Sequence, residues 1–490
     1  MATSGTSGGE TDARAEGGAV GAPAVAARRL LHGAALVAVL AGLAIAGGSA
    51  ETVRPNVLLI SIDSLRADHL HTYGYARETS PVIDRIAREG VRFEAAISPS
   101  SWTLPAHVTL LTGTPPELHG LTDPRRRLDA STRTLAEVLR ENGYATAAFV
   151  SGPFLRSLYG YGRGFEVWDD VLAQKSKQDA HRGVTSPALV QRVDAWLDEW
   201  GAAGPRRPFF LFVHMWDVHY DYDPPPPYDT MFDPDYAGDV DGTDFETGAR
   251  VHRRMEPRDL EHVIALYDGE IRFTDAWVGK LLSRLQRLGV LDDTIVVVTS
   301  DHGDEFFEHG NKGHAKALYD ETVRVPLVLR HPRRVPAGRV VEEQVRLADV
   351  APTILGLAGV PAPKDFGTAA DTAHREQDLS AWLVGERSDF PELLAFGETS
   401  RAGPPKRFAR SRGEKYIEQA RGRPRAELYD LDGDPGETKD LAVGPQPPPS
   451  RLREAAEAWK RQWSRVESRG RPVELDPELE QQLRALGYLK

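Results

Sequence analysis

The chain contains no cysteine, which excludes disulfides, thiolate metal ligands and a cysteine nucleophile. It does not exclude export, because a protein with a large core holds together without disulfides. An excess of positive charge is also missing. Lys and Arg number 60 against 72 Asp and Glu, a formal net charge of −12, which argues against general nucleic-acid binding. There is no convincing internal repeat. One apolar run, Leu30–Ala46, has the makings of a membrane-targeting element, behind Arg28-Arg29 and ahead of Gly48-Ser49-Ala50. A basic flank, a short apolar stretch and small residues read as a secretory signal. The run falls slightly short of a membrane span, which leaves an uncleaved anchor open. The expectation is an exported protein, periplasmic or extracellular, with residues 30–46 as signal or membrane anchor. Residues 1–27, rich in Gly, Ala, Ser and Thr, are expected to be disordered or absent from the mature protein.

What is present is the composition of a globular protein with a sizeable core: 41% hydrophobic and 27% charged residues. Continuous apolar runs at Asn56–Ile62, Tyr144–Val150, Pro208–His214 and Thr294–Thr299 read as strands buried on both faces. Helical patterns alternate with them: Ser80–Gly90, Thr132–Glu141, Val184–Trp200, Arg258–Leu288 (one helix or two abutting) and Val345–Leu357. This alternation predicts an α/β fold, a large central and mostly parallel sheet sandwiched by helices. From Glu392 the pattern shifts to short strands, Lys415–Gln419 and Ala426–Leu431, and the basic interval Arg401–Arg425 reads as a solvated surface. The resulting division is a leader at 1–50, an α/β domain at 54–390, a small-sheet subdomain at 391–445 and a helical tail at 446–490.

Three of the predicted strands run into carboxylates or imidazoles: Asp63, Asp217 with His219, and Asp301 with His302. In a doubly wound sheet these ends share one edge, where such sheets bind ligands. A fourth element starts at Thr103 in S-P-S-S-W-T-L-P-A-H-V-T-L-L-T-G, residues 98–113. Pro105 suits the first turn of a helix and Gly113 its end. Thr103 then falls at or just before the helix cap, facing the positive end of the helix, with His107 one turn on. Taken singly, Asp63 and Thr103 also read as plain helix caps. Together, two carboxylates, an imidazole and a hydroxyl make a ligand set for a divalent metal. A threonine oxygen beside both that cation and a helix N-terminus is activated for attack on a tetrahedral anionic centre. The aspartate-rich stretch 221–248 does not match an EF-hand loop and reads as a solvated loop near the site.

On these motifs the sequence resembles the sulfatase family of the alkaline phosphatase superfamily. The matching segments are N-V-L-L-I-S-I-D-S-L-R (56–66), T-L-P-A-H-V-T-L-L-T-G (103–113), T-S-D-H-G-D (299–304), L-Y-D-E-T-V-R-V-P-L (318–327) and E-L-Y-D-L-D-G-D-P-G-E (427–437). The resemblance implies an alkaline phosphatase-like α/β core followed by a small C-terminal α+β subdomain with a short antiparallel sheet. It makes Asp63, Thr103, Asp301 and His302 the metal ligands, with Thr103 at the nucleophile position and Arg66 and His107 in support. His219 is implied to contact the anionic group and assist the leaving group. His314 corresponds to a second such residue, with Lys316 as its alternative, while His309 is structural.

The sequence departs from the family pattern at the nucleophile. Sulfatases carry Cys or Ser there, converted to formylglycine, with Pro two residues on and Arg four on; here the residues are Thr103, Pro105 and His107. Threonine cannot become formylglycine, and Ser101 is out of register. A threonyl ester must therefore be cleared by water attacking phosphorus or sulfur. Ser64 replaces a second aspartate and His302 replaces an amide, which moves metal preference from Ca²⁺ toward Mn²⁺ or Zn²⁺. One divalent ion (Mn²⁺, Zn²⁺ or Ca²⁺) is expected, with a second left open on Asp217, His219 and His314. The function so implied is an exported, metal-dependent hydrolase or transferase that attacks a small anionic phospho- or phosphono-ester through Thr103. The alternatives are a sulfuric ester hydrolase lacking formylglycine and an inert binding protein on the same scaffold. No nucleic acid is expected as partner; a membrane anchor stays open and the oligomeric state is not legible.

Overall fold

The computed structural model describes residues 54–174, 184–204, 206–243, 245–246, 248–367, 378–419, 425–443, 450–463, 469–486 and 488–489. The expected leader and the apolar run 30–46 lie outside the described residues. Among the described residues no helix is long and apolar enough to cross a membrane.

A nine-stranded sheet carries the fold, in the order Arg324–Val325, Val91–Ile97, Leu327–Arg330, Thr294–Ser300, Asn56–Ile62, Phe209–Met215, Ala145–Val150, Val167–Asp169, with Arg339–Arg346 paired to Val91–Ile97. The three central strands, beginning at Asn56, Phe209 and Thr294, run parallel to one another, and every residue in them is buried. Their uninterrupted apolar composition follows from that double cover. Successive side chains point to opposite faces: Val57 and Leu59 join one hydrophobic cluster, Leu58, Ile60 and Ile62 the other. The helices Thr103–Thr112, Leu135–Glu141 and Val350–Leu357 cover the first face. Pro81–Arg88, Ser186–Ala202 and the single 31-residue helix Pro257–Arg287 cover the second. Leu327–Arg330 runs antiparallel to both its neighbours, so the sheet is mostly, not wholly, parallel. In register, Ser61 stands beside both His214 and Thr299. The three strand ends therefore finish level at one edge.

The smaller sheet is an antiparallel meander of Ala395–Thr399, Lys406–Arg410, Glu414–Gln419 and Ala426–Asp430. Phe396 stacks on Trp459 of the helix Arg451–Trp463 at 4.5 Å on one face, while Phe408, Ile417 and Tyr429 join Ala95 and Ile97 of the main sheet on the other. Here the structure corrects the sequence reading. The basic interval 401–425 is not all solvated surface: Arg410 and Lys415 are buried. Arg410 Nη2 lies 2.7 Å from Asp320, and Lys415 Nζ lies 2.8 Å from Asp320 and 3.0 Å from Glu437. A charge count cannot reveal partners about 90 residues away. Burial raises the Asp320 carboxyl, but Arg410 and Lys415 outweigh it and hold the group far below the usual carboxylate range. Asp320→Ala strips Arg410 of its carboxylate and leaves Lys415 with Glu437 alone, and is expected to cost about 3–5 kcal/mol, read as a fall in the denaturation midpoint; a change under about 1 kcal/mol would mean the network contributes little.

His309 has both ring nitrogens engaged away from the strand ends. Its Nδ1 lies 2.6 Å from Glu321, its Nε2 3.0 Å from the Glu437 carbonyl, and its ring stacks on Tyr319. Burial works against its charge, yet Glu321 raises it to about 9. A histidine raised in the folded state stabilises fully below the unfolded value of about 6.5 and stops doing so as pH climbs through the folded value. His309→Gln should therefore melt below the wild type at pH 6, with the gap closing by about pH 10. A gap independent of pH would show that only packing is lost.

Candidate active site

The Asn56 strand delivers Asp63 and then turns sharply. Ser64 adopts a left-handed conformation, φ 56°, which costs a non-glycine residue roughly 1–2 kcal/mol. In return Ser64 touches both acids: its Oγ donates to Asp63 Oδ1 at 3.0 Å and its N–H to Asp301 Oδ1 at 3.3 Å. Tyr267 of the long helix fastens this turn, donating to the Ser64 carbonyl at 2.8 Å and accepting from the Arg66 N–H at 2.9 Å.

Thr103 is the first helical residue and Trp102 the cap, one position from the sequence expectation. Its Oγ1 lies 3.3 Å from His302 Nε2 and 3.5 Å from Asp63 Oδ2. His107 braces this arrangement from one turn along. Its Nδ1 is 3.0 Å from the Thr103 carbonyl, its Nε2 takes the Ser61 hydroxyl at 2.9 Å, and Asp301 lies 3.5 Å away. Burial pushes His107 down to about 3, so it stays neutral. Arg66 is a brace too: it pairs with Asp68 and Glu308 and donates to the Asp304 carbonyl, tying down the loop after Asp301.

Asp63, Asp301 and His302 offer ligand atoms that all lie within 4.8 Å of one another, fully buried. Burial pushes the Asp63 carboxyl up to about 7. Burial opposes the charge on His302 as well, but Asp301 and Asp63 outweigh it and raise the imidazole. Asp301 Oδ2 has no hydrogen-bond partner, and neither has either ring nitrogen of His214, whose Nε2 stands 3.4 Å from Asp63 Oδ2. Orphaned buried polar atoms are costly and rare. Two carboxylates and two imidazoles converging around these unpartnered atoms are what a divalent cation satisfies, so the residues fit the metal. Sequence reasoning missed His214, although one signal was available: a lone histidine near the end of an otherwise apolar strand at the binding edge.

His219 and His314 stand beside His302. The His314 ring centroid is 4.3 Å from that of His302 and 5.0 Å from that of His219. Burial holds both well below the ordinary imidazole range. Asp304, also missed, accepts from His314 Nδ1 at 2.6 Å and from Tyr222 at 2.7 Å. Lys316, the alternative to His314, is spent on Glu246 and the Lys312 carbonyl. Asp217 leaves the constellation altogether. Its carboxylate accepts from Thr185 N and Oγ1 and from Ser186 N at 2.6–2.8 Å, at the start of the helix Ser186–Ala202. A second metal on Asp217, His219 and His314 therefore lacks its carboxylate.

A family model described as Sulfatase matches residues 55–360. The chain belongs to the sulfatase family. A second model, N-sulphoglucosamine sulphohydrolase, C-terminal, matches residues 308–452. An N-acetylglucosamine-6-O-sulfatase of Bacteroides thetaiotaomicron is 24% identical over 65% of this chain and 70% of its own length. Human arylsulfatase K is 23% identical over 84% of each chain. Among solved structures, the phosphonate monoester hydrolase of Agrobacterium radiobacter superposes with a TM-score of 0.67 at 24% identity, covering 84% of this chain and 96% of its own. The fold matches that of the family, a large mostly parallel sheet with a small antiparallel appendage, and the family to which the chain belongs is one of ester hydrolases.

Proposed function

We propose that the protein is a metal-dependent hydrolase or transferase in which Thr103 attacks the phosphorus of a phospho- or phosphono-ester. The observation that carries this reading is the position of the Thr103 hydroxyl, at the N-terminus of its helix and within 3.5 Å of both Asp63 and His302, in a residue that cannot be turned into formylglycine. Asp63, Asp301, His302, His214 and the Thr103 hydroxyl would hold one divalent ion. Such an ion supplies positive charge that acidifies the hydroxyl and stabilises the charged phosphoryl oxygens.

The chain's own residues account for the rest. Thr103 Oγ1 loses its proton and forms a bond to phosphorus while the bond from phosphorus to the leaving oxygen breaks. The leaving oxygen departs on the side lined by His219 and His314 and takes up the proton that Thr103 released. Water, or an acceptor alcohol, then attacks phosphorus, breaks the threonyl ester and restores the hydroxyl. His107 and Ser64 keep nucleophile and acids in place throughout, as preorganised positioning requires.

A sulfuric ester hydrolase is the second reading, favoured by the sulfatase names of the relatives. Assays of purified protein loaded in turn with Mn²⁺, Zn²⁺ and Ca²⁺ separate the two. Turnover of aryl phosphodiesters or phosphonate monoesters well above that of aryl sulfates is expected; the opposite order would overturn the phosphorus reading. The same reading takes the enzyme out of the cytoplasm, on the support of the signal-like stretch Arg28–Ala50.

A further inference from the structure

The helix Pro477–Ala485 is a fixed part of the fold. Asp476 caps it, accepting from Leu479 N at 2.7 Å, and Arg156 pairs with that cap at 2.9 Å. Leu479, Leu483 and Leu486 are buried in the same hydrophobic cluster as the helix that begins at Thr103. Past the helix the chain folds back, Tyr488 N donating to the Leu483 carbonyl at 2.7 Å. The phenol of Tyr488 then enters the active site, edge-on to Phe154 at 4.6 Å and with the Arg401 guanidinium 5.7 Å from its ring centre. Its hydroxyl reaches the Nε2 atoms of both His219, at 3.2 Å, and His314.

The tautomers of these histidines decide what the phenol does. His219 Nδ1 is 2.6 Å from the Tyr220 carbonyl, which only accepts. His314 Nδ1 is 2.6 Å from the Asp304 carboxylate. Each ring is therefore held with a hydrogen on Nδ1 and, against the phenol, turns its Nε2 lone pair inward. Two acceptors converge on a single phenolic hydrogen, which serves one of them at a time. An anion needs donors, and with these tautomers the three side chains offer one into the site, the Tyr488 O–H.

We propose that Tyr488 is a substrate-contacting residue, whose hydroxyl donates a hydrogen bond to an oxygen of the bound anionic ester beside His219 and His314. This rests on the reading of Thr103 as nucleophile. The buried anchoring of its helix makes Tyr488 a wall of the site, not a removable plug.

Tyr488→Phe removes the hydroxyl and keeps the ring against Phe154; Tyr488→Ala removes both. The full-length, metal-loaded proteins are titrated calorimetrically with orthovanadate and with inorganic phosphate, then assayed on the ester panel. Tyr488→Phe should melt like the wild type and keep its metal content. Its anion affinity and kcat/KM should fall about 10- to 100-fold, the loss of one hydrogen bond to a charged group. Equal anion affinity in wild type and Tyr488→Phe overturns the role of Tyr488 alone. Faster turnover by Tyr488→Ala also overturns it, by making the residue an obstruction. A wild type that binds neither anion strikes the Thr103 reading itself, and the proposal falls with it.

Discussion

Thr103→Ala is expected to fold, bind metal and lose turnover by about 10⁴-fold or more, the scale on which removing an enzyme's nucleophile acts. The substitution deletes a hydroxyl and a methyl from a fully buried site, a small change in volume that leaves Asp63, Asp301 and His302 in place. Thr103→Ser keeps the hydroxyl but frees its rotation, since the β-methyl that restricts χ1 is gone. It should retain activity within about 10- to 100-fold of wild type, because only orientation is relaxed. The two variants together separate chemistry from packing, with kcat measured on the best ester of the panel. Acid quenching during turnover should also trap the threonyl ester for mass spectrometry. Thr103→Ala activity within tenfold of wild type would remove Thr103 from the mechanism.

Stripping the metal is expected to be as damaging. Chelation should abolish turnover, by at least about 10³-fold given that a cation supplies several kcal/mol of charge stabilisation. It should also lower the melting temperature, because metal at a hundredfold above its dissociation constant contributes about 2.7 kcal/mol to folding. The buried acids explain why stability follows. Without a cation, burial drives Asp63 up to about 7, and the Asp301 Oδ2 atom is desolvated with no hydrogen bond in exchange. Asp301→Asn keeps the shape and removes one charge, so metal affinity should fall at least about 100-fold. Undiminished activity in protein shown by elemental analysis to be metal-free would rule out this role.

What could be read beforehand was whatever local pattern fixes. Apolar runs that stop at Asp63 and Asp301 mark strand ends because a charge cannot continue a doubly covered strand. Pro105 and Gly113 punctuate the Thr103 helix for equally local reasons. Asp217 also ends such a run, yet the structure gives it to Thr185 and Ser186; end-of-run position shows the edge a residue reaches, not the partner it finds there. His214, Asp304 and Tyr488 depend on which segments meet after folding, and so do the buried charges Arg410 and Lys415. Their neighbours along the chain are ordinary, and nothing within a few residues of Tyr488 hints at two histidines more than 170 residues earlier.

That last contact has a bearing on how the enzyme comes into being. Asp63 and Tyr488 stand near opposite ends of the described chain, yet both border one small space. Closing so long a loop costs little more free energy than closing a shorter one, because the entropy grows only as the logarithm of length. It does cost time, since folds rich in contacts of high sequence separation form slowly. The strands that carry Asp63, His214 and Asp301 pair directly with one another, whereas Tyr488 reaches the same space from the last helix of the described chain. A chain cut before Tyr488 keeps those strand pairings and loses the hydroxyl beside His219 and His314.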